Sequence, residues 1–325
     1  MREQRVSTRR HRLETVMSGS GDFYDRMLSR VQAQDEIKEE IGMAALMWVS
    51  HSERPLRVDE LCHALAVEIE SADLDPEHVL SIGTLSDCCQ GLLAVDGGAS
   101  TVRLIHLTLQ EHLSTRLDLF DRAHSTIAET CLTYLNFQRF KSLPANDLSD
   151  PVQTPFLGYS SIYWGTHAKR ELSDCAKSLA LKLFDDYDGH ISIRLLLKHV
   201  LNPDRFSDNE DFSSFTGLHC ASFFGIVEVA AALMETNGCD VGKRDCVGNT
   251  PLMWAAKNGH EGIVELLQER EDVTPDIPCR SSHTPPLRTT NHKRRRDEEP
   301  PPLESSPKTP TGDLGSKRHK PPCGL

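Results

Sequence analysis

Fifteen histidines, ten cysteines and 48 carboxylates would equip this 325-residue chain for metal, nucleophilic or acid–base chemistry if their spacing brought them together. It does not. No Cys-x-x-Cys occurs, and the histidines and cysteines follow no metal-ligand spacing. His-Glu-x-x-His is absent, as is the Gly-x-Ser-x-Gly turn that exposes a nucleophilic serine. No Gly-x-x-x-x-Gly-Lys-Ser/Thr loop is present to cradle a phosphate. The carboxylates fall on solvated helix faces with no pair set apart. The sequence predicts no enzyme, no metal and no cofactor.

Binding chemistry is better supplied. The stretch NTPLMWAAKNGHEGIVELL, Asn249 to Leu267, reads as two short helices joined at Asn258-Gly259-His260. A unit that small cannot bury its own apolar face, so a similar layer must shield it. Aligning TGLHCASFFG with TPLMWAAKNG puts Leu218 on Leu252, Ala221 on Ala255 and Gly225 on Gly259, each at an offset of 34. That is close to the ~33-residue ankyrin period. A fainter copy, GHISIRLLL from Gly189 to Leu197, overlays GHEGIVELL at an offset of 70. The variable positions of such a stack are where a protein partner would touch it: Lys243, Arg244 and Val247 on the turn, then Trp254 and Lys257 on the inner helix. Trp254 is either an exposed hot spot on the concave face or partly buried against the next repeat. His219 is expected to hydrogen-bond neighbouring loops, and Gly217, standing where proline is usual, to loosen its helix start.

Upstream, Phe23 to Val49 is apolar at helical spacing and ends at Arg54-Pro55-Leu56. A second helix follows in VDELCHALAVE. Asp75-Pro76-Glu77 predicts the start of a third, through Leu85 and Cys89. LLAV and TVRLIHL flank Asp96-Gly97-Gly98, a hairpin signal, and Thr108-Leu109-Gln110-Glu111 reads as a capping box opening QEHLSTRLDLF. Helices closed by one hairpin in this order make a winged helix. The groove-reading helix, about Glu77 to Leu92, holds no Lys or Arg, so the folded part is not expected to bind nucleic acid.

These residues also carry a resemblance. FYDRMLSRVQAQDEI, ALMWVSHSERPLRVDELCHAL, CCQGLLAVDG and VRLIHLTLQEHLST, within Phe23 to Phe137, resemble the winged-helix module of fungal NACHT–ankyrin proteins, a module named after an inositol deacylase. SSIYWGTHAKR, Ser160 to Arg170, resembles the segment joining that module to ankyrin repeats. The resemblance implies an adaptor or regulatory role beside a NACHT ATPase domain, which this chain does not contain. It also implies that His106 could contact the β-phosphate of ADP on such a domain, in trans. The alternative for His106 is a strand-edge histidine capping the next helix or packing on Leu109. Arg57 replaces the family's capping Thr before Val-Asp-Glu-Leu, which predicts a weaker helix start there.

The net charge of −12 is segregated. From Pro275 onward there are ten Lys/Arg and six Asp/Glu, so a basic tail follows an acidic body. Eleven of the 18 prolines lie in that tail, whose composition predicts disorder. It holds two basic clusters, Lys293, Arg294, Arg295 and Arg296, then Lys317, Arg318 and Lys320, candidates for nuclear import that would suit a nuclear regulator. Thr284, Ser306 and Thr309 each precede proline and could be phosphorylated. No apolar run approaches the roughly 18 residues of a membrane span, and the scattered cysteines read as small buried apolar groups, so a cytoplasmic or nuclear protein is expected. The expected order is a disordered start (1–21), a winged helix (22–137), a helical linker with the fainter repeat (138–200), two recognisable ankyrin repeats (201–273) and the disordered tail (274–325). The fold class is mainly α.

Overall fold

The structure, a computed structural model, describes residues 21–116, 118–141, 154–201, 212, 214–236 and 238–269. All lie within the first of two contact units, Met1–Pro286. Residues 1–20 of the expected disordered start, the expected disordered tail, the phosphorylation sites and both basic clusters fall outside the described residues, while Gly21 is already helical.

The described residues begin with α1 (residues 21–32) and α2 (Glu36–His51), separated by a turn that ends at Asp35, whose carboxylate accepts the Lys38 amide as an N-cap. After α2 the backbone extends through Pro55 into β1 (Leu56–Arg57), then enters α3 (Val58–Leu65). Arg57 has no acceptor to offer as a cap. Its own amide donates to Glu60 Oε2 at 2.8 Å, while the Asp59 carboxylate takes the Glu60 amide at 2.9 Å and so compensates at that helix start. Asp75-Pro76-Glu77 does not open the third helix. It forms a single 3-10 turn, Pro76–His78, and α4 (Ile82–Cys88) starts from its own cap, Ser81, which accepts the Thr84 amide.

The hairpin is β2 (Leu93–Asp96) and β3 (Thr101–Leu104). The Asp96 carboxylate takes the Gly98 and Ala99 amides inside the turn. β1 adds to the other edge of β3, with Leu56 opposite Val102, giving a three-stranded antiparallel sheet in the order β1-β3-β2. Helix α5 (Leu107–Thr115) starts one residue before the expected capping box. Thr108 is already helical, and its hydroxyl bonds to the Tyr24 hydroxyl at 2.7 Å instead.

Among the described residues seven further helices precede the last repeat pair: α6 (Ala123–Leu135), α7 (Gln138–Lys141), α8 (Leu157–Arg170), α9 (Asp174–Phe184), α10 (Ile191–Val200), α11 (Gly217–Phe224) and α12 (Val227–Met234). Then come α13 (Pro251–Asn258) and α14 (Glu261–Gln268). The inner helices stack as α8, α11 and α13, and the outer ones as α9, α12 and α14. The layer beneath α11–α12 is therefore α8–α9, and α10, which holds the fainter repeat copy, packs across α8. The 249–267 unit does stack on the 215–234 unit, as its size required.

Helix α8 is common to both halves of the molecule. Its Tyr159 ring lies 6.2 Å from Trp48 of the winged helix, and its Trp164 ring lies 5.2 Å from Phe224 of α11. The second approach needs Gly165, where a Cβ would fall 2.2 Å from the Phe224 ring. Gly217 answers to a similar demand. A Cβ there would meet the Phe184 ring at 2.5 Å, and the helix start is not loose: Thr216 and His219 form a capping box around it. One contiguous apolar core runs from Tyr24 to Leu267. The eight described cysteines are free thiols, five of them buried.

Candidate interaction surface

Residues 240 to 250 make the turn between the two clearest repeats, and its shape is set by Asp245. This carboxylate is only 5% exposed. Its Oδ1 accepts the Val247 amide at 2.9 Å and the Asn249 amide at 2.8 Å, and its Oδ2 accepts Nε1–H of Trp254 at 2.7 Å. The backbone closes the turn with Asp245 N–H to Asn249 O and Gly248 N–H to Asp245 O, both 2.9 Å. His219, fully buried, ties the turn to α11. It accepts the Thr216 amide and hydroxyl on Nδ1, and its Nε2–H donates to the Lys243 and Asn249 carbonyls at 3.0 and 3.2 Å. Burial holds its pKa down to about 4, against the pull of Asp245. It is thus a neutral structural clasp, as its sequence context predicts.

Of the expected contact residues, three are exposed. Arg244 is exposed and donates to the Gly248 carbonyl at 2.8 Å; Val247 is 43% exposed; Lys257 is exposed and donates to the Asn249 side-chain oxygen. Lys243 is half-buried. Trp254 is different. At 3% exposure it lies beneath the surface, its ring edge-on to Phe215 at 6.2 Å and to Phe223 at 5.5 Å, with the Lys257 ammonium 5.6 Å above it. The exposed-hot-spot alternative is corrected to burial, against the preceding repeat rather than the next. The bond to Asp245 draws the indole nitrogen inward, where it can neither stay unpaired nor reach water.

The sequence reading missed Asp245 and Asn249. Their signal was an Asp three residues before Gly in a turn, where its carboxylate can take backbone amides. It also missed His260, whose Nε2–H donates to the Phe223 carbonyl while Lys169 donates to Nδ1 at 3.0 Å, linking α8, α11 and the α13–α14 loop.

His106 lies far from this turn in the chain, at the N-cap position of α5, without a side-chain cap bond. It is exposed, at the edge of a groove of about 390 Å³ lined also by Val49, Arg54, Pro55, Arg103, Leu107 and Gln110. Leu107 beside it is 77% exposed. Arg54 in the groove wall is committed to Glu60 through two bonds, at 2.7 and 2.6 Å.

Residues 25–125 match the family model described as GPI inositol-deacylase, winged helix domain, and residues 186–279 match that of ankyrin repeats (3 copies). The chain carries a winged helix followed by ankyrin repeats. No curated protein and no solved structure matches it. The ankyrin match takes in α10 to α14, so the Asp245 turn lies inside it and the His106 groove inside the winged-helix match. Ankyrin repeats are a protein-binding fold, and the turn between α12 and α13 carries Arg244 and Val247 at the surface. Among the described residues no group of three or more His, Cys, Asp or Glu is arranged to hold a metal. No described helix is long and apolar enough to cross a membrane.

Proposed function

We propose that this chain is a non-enzymatic interaction module: the ankyrin surface binds a protein partner, and the winged helix serves as adaptor or regulatory element of a NACHT-type signalling system. The observation that carries the reading is the turn built on Asp245. Internal bonds close its backbone at Asp245, Val247, Gly248 and Asn249, so Arg244 and Val247 are presented to a partner with little left to order on binding. Lys243 and Lys257 flank them, and Trp254 supports the surface from beneath. The catalytic motifs missing from the sequence agree with an interaction role. A photoreactive residue at position 247 should cross-link a discrete protein in host extract, and Arg244→Glu should abolish that product. No cross-linked species, or one indifferent to Arg244→Glu, would reject the reading.

A second reading rests on His106, an exposed histidine at a groove whose side chain makes no cap bond to α5. The winged helix would dock on a NACHT ATPase domain supplied in trans, where an imidazole N–H can donate to a phosphate oxygen of bound ADP. Calorimetric titration of ADP into such a domain, with and without this chain, tests it. The chain should tighten ADP binding, and His106→Ala should remove the gain.

A further inference from the structure

In the last two layers of the repeat stack, α11 to α14, the outer and inner sides differ in charge. The outer helices α12 and α14, with their C-caps, present Glu228, Glu235, Glu261, Glu265 and Glu269, all exposed, and contain no Lys or Arg. The inner side is the reverse. Helix α11 has no charged side chain besides the buried, neutral His219. From Asp240 to His260 the charged residues are Asp240, Lys243, Arg244, Asp245 and Lys257, three cations against two carboxylates. Exposed Asp240 stands at the start of the turn with one oxygen on the Gly242 amide, and Asp245 is buried with its oxygens taken by three donors at 2.7 to 2.9 Å, so the cations near Val247 face no exposed carboxylate from residues 241 to 260.

Placement reinforces composition. Arg244 donates to the carbonyl of Gly248 and Lys257 to the side chain of the next residue, Asn249. The two cations thereby bond to consecutive residues of the turn, with exposed Val247 just before those acceptors. Fixed cations lose less side-chain entropy when they engage a carboxylate.

We propose that this inner edge binds an acidic peptide segment carrying at least one apolar side chain, the carboxylates meeting Arg244 and Lys257 and the apolar group meeting Val247. The assignment rests on the interaction reading above and adds the chemistry of the partner. A nucleic acid is the other polyanion to weigh, and it fits worse. Its charge is continuous, so it would run past a short cationic strip onto the acidic outer row of a chain with net charge −12. A short peptide touches the strip alone.

The test is fluorescence anisotropy of the full chain with three labelled probes: a twelve-residue peptide of alternating Glu and Leu, the same peptide with Lys for Glu, and a single-stranded oligonucleotide. Arg244→Glu/Lys257→Glu is the variant, its urea midpoint checked against the parent. The acidic peptide should bind, weaken with added salt, and lose about tenfold or more in affinity in the variant. Equal binding of the Lys peptide, tighter binding of the oligonucleotide, or unchanged affinity in the variant overturns the proposal. No binding of the acidic peptide, with cross-linking from position 247 intact, overturns the acidic assignment and leaves the interaction reading standing.

Discussion

The indole N–H of Trp254 is donated to Oδ2 of Asp245 at 2.7 Å, with both residues almost fully buried. This bond joins an inner helix to the turn that precedes it, and the same carboxylate shapes that turn through two backbone amides. Trp254→Phe keeps most of the ring packing but strips a buried carboxylate of one donor. The expected loss is about 1–3 kcal/mol in urea unfolding. Asp245→Ala frees three donors at once and should cost more, with faster hydrogen exchange at the Val247 and Asn249 amides. Equal, near-zero losses for both would show that the turn is held otherwise.

Gly217 is where the repeat departs from its usual proline, and the reason lies across the layer boundary, in the Phe184 ring 2.5 Å from the site of its missing Cβ. Gly217→Ala should therefore destabilise by about 1–3 kcal/mol through overpacking, although alanine favours helices. Phe184→Leu in the same chain should relieve part of that loss. A double-mutant cycle measured by denaturant midpoints checks it, and additive effects would count against the steric account.

A hydrogen-bond relay ties the winged helix to α8, on which the repeats stack. The Glu53 amide donates to the Tyr159 hydroxyl at 3.1 Å, that hydroxyl meets His167 Nε2 at 2.9 Å, and His167 Nδ1 meets His124 Nδ1 at 2.8 Å. Arg170 adds an ion pair to Glu53. Tyr159→Phe leaves partners unsatisfied on both sides of the joint, costing about 1–3 kcal/mol. Combined with His167→Gln it should show a coupling of about 0.5 kcal/mol or more, since both residues act in one network.

Much of this architecture was legible because its signals are local. Helical spacing located α1 to α3, Asp96-Gly97-Gly98 located the hairpin, and the 34-residue offset paired α11 with α13. What escaped depends on partners distant in sequence. β1 is two residues long and exists only because Leu56 pairs with Val102. Trp254 reads as a surface residue until Asp245, Phe215 and Phe223 are placed around it. The relay of Glu53, Tyr159, His167 and His124 spans two helices and a loop, so no spacing rule could announce it.

That relay, with two other buried histidines, sets how the fold responds to acid. Burial is the main cause that depresses His167 to about 2, and His124, His190 and His219 to about 4, below the 6.5 of an unfolded histidine. Arg170 and His51 further oppose a proton on His124, and His124, Arg170 and His51 oppose one on His167. The bond between the two Nδ1 atoms needs one proton, and a second would set two donors against each other. Because the folded pKa values are lower, the unfolded chain binds more protons, and stability falls as pH drops. It is fully present above 6.5 and declines as pH falls through 6.5 toward the folded values. Each deeply buried histidine, His167, His190 or His219, contributes a limiting slope of about 1.4 kcal/mol per pH unit in that window. Urea midpoints at pH 7.5, 6.5, 5.8 and 5.0 should therefore fall stepwise, above the range where most carboxylates titrate. His219→Gln, which keeps one donor and one acceptor, should flatten the decline by about a third of that three-residue slope. A midpoint constant from 7.5 to 5.0 would mean that these imidazoles gain protons without opening the fold.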